Sequence, residues 1–145
     1  MERTRRFCLA RRLVTILCIF EGMMHSPLEL FRNEMMNIGY FCPSIEQMDG
    51  WKRASVCTKR RSDGRGFCGN SMFVTFLNGG FVIGNWLGHL YLCASRDKMI
   101  MFVKEWFSIY PDKTQHCFDS DMLQRHEMTL ISDAEFTRLI QRNQE

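Results

Sequence analysis

The sequence predicts an α+β domain, with helices at both termini flanking a central antiparallel sheet. Helix-cap signatures stand in both halves of the chain, Ser26-Pro27-Leu28-Glu29 and Ser132-Asp133-Ala134-Glu135. Between them the apolar residues switch to short β-type runs, residues 72–77 and 81–83, around Asn78-Gly79-Gly80. The composition, 46% apolar and 24% charged over 145 residues, is that of a packed globular chain of ordinary domain size. No repeat, low-complexity tract or linker interrupts it, so residues 1–145 read as one domain, with residues 1–12 as a mobile basic arm.

At the start, Arg3, Arg5, Arg6, Arg11 and Arg12 oppose only Glu2 and precede an apolar run over residues 13–20. Leu9, Leu13, Ile16, Leu17, Phe20 and Met24 share one helical face, which predicts an amphipathic core helix. The same pattern resembles the charged and apolar regions of a signal peptide, but Glu21 ends the run after eight residues and no small-x-small site follows. A basic membrane-surface or targeting helix is a third reading. The run is too short to span a bilayer.

Ser26 then caps a helix, Pro27 suits its first turn and Glu29 completes a capping box. Leu30, Phe31, Met35 and Ile38 line one face, and Gly39 stops it. Ser44-Ile45-Glu46-Gln47 is expected to start a further short helical turn before Gly50. Asn78-Gly79 between β-branched and aromatic residues predicts a tight hairpin, because both central positions of such a turn need positive φ. Gly84 and Gly88 suggest bulges or a second turn before a strand at residues 89–93. Residues 99–110 fit two templates: a helix capped by Asp97 with Ile100, Val103, Trp106, Phe107 and Tyr110 on one face, or a strand over Met-Ile-Met-Phe-Val. The strand is favoured at its start. Phe136, Leu139 and Ile140 form the stripe of the C-terminal helix.

The charge balance, 19 Lys and Arg against 16 Asp and Glu, is too even to demand a nucleic-acid partner. Its distribution is uneven: Lys52, Arg53, Lys59, Arg60, Arg61 and Arg65 oppose only Asp63 in the middle of the chain. The seven cysteines are odd in number and widely spaced, unlike a disulfide framework. With eleven methionines they fit a reduced core, and a cytoplasmic or nuclear location is expected.

Residues 56–93 hold seven of the ten glycines, three cysteines and the basic cluster, and any chemistry is expected there. Cys57, Cys68, His89 and Cys93 offer thiolate and imidazole donors for zinc, with Cys42 or the His116-Cys117 pair as substitutes; no close Cys-x2-Cys pair supports them. Cys68 lies in a glycine-rich approach among Lys59, Arg60, Arg61 and Arg65, whose charge would favour thiolate. His116 or His126 would be the base for such a nucleophile, oriented by Asp112, Asp119 or Asp121. Lys59, Arg60, Arg61 and Arg65, with Trp51 and Phe67 nearby, offer charge beside stacking surfaces for a polyanion or an acidic protein face, and also look like a nuclear-import patch. Phe81, Trp86, Tyr91, Trp106 and Phe107 supply aromatic anchors for a partner if they are exposed. No P-loop, His-Glu-x-x-His, Gly-x-Ser-x-Gly or dinucleotide-binding glycine pattern is present.

The block Asp63-Gly64-Arg65-Gly66-Phe67-Cys68-Gly69-Asn70 resembles the nucleophile region of ovarian-tumour-type and viral papain-like cysteine proteases. It departs from them at Gly69, where an aromatic would follow the cysteine. That resemblance implies Cys68 as nucleophile. The stretch Phe81-Val82-Ile83-Gly84-Asn85-Trp86-Leu87-Gly88-His89-Leu90-Tyr91-Leu92, running on to a Ser-led terminal helix, resembles the SUKH superfamily and implies protein binding. The wide Cys and Met content resembles viral accessory proteins in general style, which implies host–virus contacts.

The expected function is that of a small intracellular protein-binding or regulatory accessory module. It would act through its basic glycine-rich loop and hairpin, Lys59, Arg60, Arg61, Arg65 and Trp86, without an obligatory cofactor. The alternatives are a zinc-stabilised nucleic-acid-binding protein and a papain-like cysteine protease with Cys68 and His116.

Overall fold

A computed structural model of the chain describes residues 26–112 and 120–144. The readings made on residues 1–25 and on His116, Cys117 and Asp119 lie outside these.

Helix α1 (Pro27–Ile38) starts as its cap predicts. Ser26 Oγ accepts the Glu29 N–H at 3.2 Å, and the Glu29 carboxylate accepts the Ser26 N–H at 3.4 Å, so each satisfies a backbone donor that the first turn leaves open. Gly39, at φ 115°, ends it. Leu28, Phe31 and Met35 are buried, whereas the expected Ile38 lies on the outer side, 41% exposed.

Where a helical turn was expected after Ser44, the chain forms strand β1 (Ile45–Gln47), paired antiparallel with β2 (Lys52–Arg60). A four-residue helix closes too few hydrogen bonds to repay its nucleation, while the neighbouring strand offers a ready ladder. The Arg53 guanidinium holds the Glu46 carboxylate across that pair at 2.9 Å and lies over the Phe73 ring.

Strands β3 (Phe67–Phe76), β4 (Val82–Trp86) and β5 (His89–Cys93) continue the sheet, and β6 (Thr129–Ile131) closes it after two helices, α2 (Arg96–Ile109) and α3 (Ser120–Arg125). The strand order is β1-β2-β3-β4-β5-β6, with every neighbour antiparallel. A last helix, α4 (Asp133–Gln144), follows. Ser132 Oγ accepts the Glu135 N–H at 3.1 Å, while the Glu135 carboxylate turns to Arg138 instead of completing a box.

Of the two turns that follow β3, the first departs from the sequence expectation and the second fits the turn expected at Gly88 before residues 89–93. No two-residue Asn-Gly turn joins β3 to β4. The connection runs over five residues, 77–81, with Leu77 N–H donating to the Phe81 carbonyl at 2.8 Å and positive φ at Gly79 and Gly80 instead of Asn78. The tight turn lies between β4 and β5, where Leu87 and Gly88 take φ 50° and 84° and Asn85 Oδ1 accepts the Gly88 N–H at 3.2 Å. Two successive positive φ values match the twist of paired strands, which is why this two-residue link forms even with a leucine in it.

The segment from residue 99 is helical throughout, against the strand favoured for its start. Ser95 caps it, two residues before the expected Asp97, with Oγ accepting the Lys98 N–H at 3.2 Å. Met99, Ile100, Phe102, Val103, Trp106 and Phe107 are all buried, a broad apolar face that a strand could not have turned to one side. They pack with Phe31 and Met35 of α1 on one face of the sheet, over Val56, Met72, Val74, Val82 and Tyr91. The other face carries a smaller cluster, Ile83, Leu90 and Ile131, covered by Phe136 and Leu139 of α4. No helix among the described residues is long and apolar enough to cross a membrane.

Candidate functional site: the arm formed by strands β2 and β3

The basic glycine-rich segment is the tip of a long two-stranded arm. Pairing of β2 with β3 continues out to Arg60 opposite Phe67, but β3 pairs with β4 only from Phe73 onward, and β4 ends at Trp86. The arm therefore runs about 17 Å past its neighbour, five residues at roughly 3.4 Å each. At its tip Arg61 N–H donates to the Gly66 carbonyl at 2.9 Å, Asp63 Oδ1 accepts the Arg65 N–H at 2.9 Å, and Asp63 Oδ2 pairs with Arg61 at 3.1 Å. The side chains of Arg60 and Arg65 are exposed, and neither guanidinium pairs with a carboxylate among the described residues. Phe67 stands beside them, 39% exposed, with its ring 5.8 Å from that of Phe41.

The base of the arm is tied to the end of α2. Asn70 is fully buried and uses both ends of its amide: Nδ2 donates to the Tyr110 carbonyl at 3.0 Å, and Oδ1 accepts the Trp86 indole N–H at 3.1 Å. Its backbone N–H donates to Thr58 Oγ1 at 2.9 Å, and the Thr58 hydroxyl in turn donates to the Pro111 carbonyl. Gly69 makes the approach possible. It sits at φ 79°, and a Cβ there would lie 2.3 Å from Thr58 Oγ1 and 2.9 Å from the Pro111 oxygen. A register shift between Cys57 and Lys59 bends the ladder at the same place. Lys59 reaches across to the Asp112 carboxylate, whose hydrogen bond and charge hold the ammonium pKa above its ordinary value.

This geometry redistributes the residues singled out from sequence. Trp86, expected on the binding surface, is 3% exposed and packs edge-on against Trp106 at 5.0 Å; Tyr91, Trp106 and Phe107 are buried as well. Of the expected aromatic anchors only Phe81 reaches solvent, 46% exposed. Arg61 and Lys59 are held in ion pairs, which leaves Arg60 and Arg65 as the open cations of the cluster.

Cys68 is exposed on β3, opposite Lys59, and its thiol makes no hydrogen bond among the described residues. The Gly69 approach beside it is filled by Thr58 and Pro111, so it offers no open cradle for a substrate backbone. His126, one expected base, bonds Glu105 on α2 and packs edge-on against Phe102. Asp112 is engaged by Lys59.

The zinc quartet does not converge. Cys57 is on β2 whereas His89 and Cys93 are on β5, three strand spacings or roughly 14 Å away. His89 is exposed and stacks on Trp86, and the Cys93 thiol donates to the Ser95 carbonyl at 3.5 Å. No group of three His, Cys, Asp or Glu side chains suited to a metal ion occurs among the described residues. Burial pushes the thiols of Cys57 and Cys93 above their ordinary pKa, and that of Cys42 up to about 11, so at neutral pH all three are protonated thiols.

Sequence reasoning missed Thr58, Gly69, Asn70 and Pro111 as a unit. The only local signal was a glycine directly before an asparagine inside a strand, where glycine marks close backbone approach. The chain was compared with known proteins: no protein-family model matches it, and neither a curated protein nor a solved structure is significantly similar.

Proposed function

We propose that the chain is a binding module that docks an acidic face of another protein onto the tip of the β2–β3 arm. The observation that carries this reading is the pair Arg60 and Arg65, exposed, their guanidinium groups without carboxylate partners among the described residues, on an arm braced at its base. Guanidinium forks recognise carboxylates in two-point geometry, and a rigid mount lowers the entropy lost on docking. Phe67 adds an apolar contact beside the charges. Free thiols at Cys42, Cys57, Cys68 and Cys93 support a reducing compartment, cytoplasm or nucleus.

The test is capture of cross-linked partners from cells by the wild-type chain, by Arg60→Glu/Arg65→Glu, and by Lys104→Glu on the outer side of α2 as a charge control. The reading predicts that a reproducible protein partner is lost with the arm double variant alone, while all three proteins keep the same far-ultraviolet spectrum and unfolding midpoint. Unchanged capture by the arm variant would remove the tip as the docking site. Capture that depends on RNA or DNA, with affinity falling steeply as salt rises, would replace the acidic protein by a nucleic acid.

A further inference from the structure

At the other end of β3, away from the arm, the smaller hydrophobic cluster opens to the surface through a cavity of about 280 Å³. Its walls are apolar: Leu77 and Phe81 from the β3–β4 connection, Leu92 from β5 and Leu139 from α4. Its mouth is polar and held in place. The Asn78 backbone N–H donates to Asn143 Oδ1, and Asn78 Nδ2 donates to the Asn143 carbonyl at 3.0 Å, so the connection is clamped to the last turn of α4. Arg142 stands beside that clamp with no carboxylate partner among the described residues. Its charge suits the negative end of the helix dipole, but that interaction leaves the guanidinium donors open.

We propose that this cavity binds a short aliphatic monocarboxylate, its chain against Leu77, Phe81, Leu92 and Leu139 and its carboxylate on Arg142. Four apolar walls and one cation select a ligand with one charge and a hydrocarbon tail. A phosphate or dicarboxylate would find no second cation among the lining residues. An extended peptide backbone would find Asn78 and Asn143 already bonded to each other. At roughly 30 Å³ per water-sized group the cavity holds about nine such groups, the size of a six- to eight-carbon acid; a long-chain fatty acid would overrun it. The site does not depend on the arm.

The test titrates octanoate, and separately 1-octanol, into the protein while proton–nitrogen correlation spectra are recorded, for the wild type and for Arg142→Gln. The proposal predicts saturable shifts at millimolar octanoate, confined to the amides of residues 77–81, Leu92 and residues 139–143. Octanol, lacking the charge, binds the same place roughly fivefold more weakly, the scale of one solvent-accessible ion pair. Arg142→Gln reduces octanoate to the octanol level and leaves octanol unchanged. Equal affinity for the two ligands in the wild type, shifts centred elsewhere, or no saturation would each overturn the proposal. The octanol comparison needs no variant, so a destabilised Arg142→Gln protein would not blunt it.

Discussion

The base and the tip of the β2–β3 arm are built from adjacent residues of one strand pair, yet opposite physics governs them. At the base, the buried Asn70 has its amide oxygen, amide nitrogen and backbone N–H all bonded, to Trp86, Tyr110, Thr58 and Pro111. At the tip, Arg60 and Arg65 face water without a counter-ion among the described residues. Richness in glycine, cysteine and basic residues describes both halves equally well. What separates them is burial with complete hydrogen bonding on one side and exposure with open donors on the other. A buried polar group left unpaired destabilises a fold, so the base is held together by its own requirements. An exposed cation imposes no such requirement and remains available to a partner.

That contrast can be broken most severely at Gly69. Gly69→Ala forces a Cβ into Thr58 Oγ1 and the Pro111 oxygen at a left-handed φ, and is expected to cost roughly 2–5 kcal/mol in urea unfolding. A loss below 1 kcal/mol would mean that the end of α2 is not seated on the arm. Asn70→Ala comes next: it removes the acceptor of the Trp86 indole N–H and the donor to the Tyr110 carbonyl, and about 1–3 kcal/mol is expected. Trp86 fluorescence should change with it, since the indole loses its acceptor.

The smallest effect belongs to the exposed strap between Lys59 and Asp112. Because the folded ammonium pKa is raised, whatever stability the strap contributes is fully present below the ordinary lysine value of 10.5 and is lost as pH climbs through the folded value. Asp112→Asn should therefore lower the urea midpoint slightly at neutral pH and low salt. The gap from wild type should narrow in high salt and as pH rises beyond 10.5 through the raised folded value. A gap that persists there would point to a role for Asp112 other than charge.

Much of the helical frame could be read locally. Ser26, Pro27, Glu29 and Gly39 act on backbone groups within four residues of themselves, so the cap and stop of α1 were visible without any knowledge of the fold. Ser132 worked in the same way for α4. Features decided by distant partners were not legible. β1 exists because β2 lies beside it, and α2 differs from a strand chiefly because its broad apolar face finds both α1 and the sheet. Glycine placement misled at the β3–β4 connection: Gly79-Gly80 takes the left-handed positions there, while the tight turn falls on Leu87-Gly88, which carries no Asn-Gly or Asp-Gly signal.

The basic glycine-rich segment singled out from sequence forms one strand pair, but the residues named with it do not stay together. Arg60 and Arg65 stand open at the tip, while Trp86 withdrew into the core because its indole N–H meets Asn70, sixteen residues away in sequence. No periodicity or motif could reveal that pairing.

Native-state hydrogen exchange separates a docked base from a free tip. The Asn70 amide, donating to Thr58 Oγ1 and the Pro111 carbonyl, should exchange only with opening of the core, as slowly as the amides of Val74 and Val82. Amides of Ser62 and Asp63 at the tip should exchange orders of magnitude faster. Fast exchange at Asn70, on the timescale of Ser62, would show instead that the arm swings free of α2 and that its base is not docked.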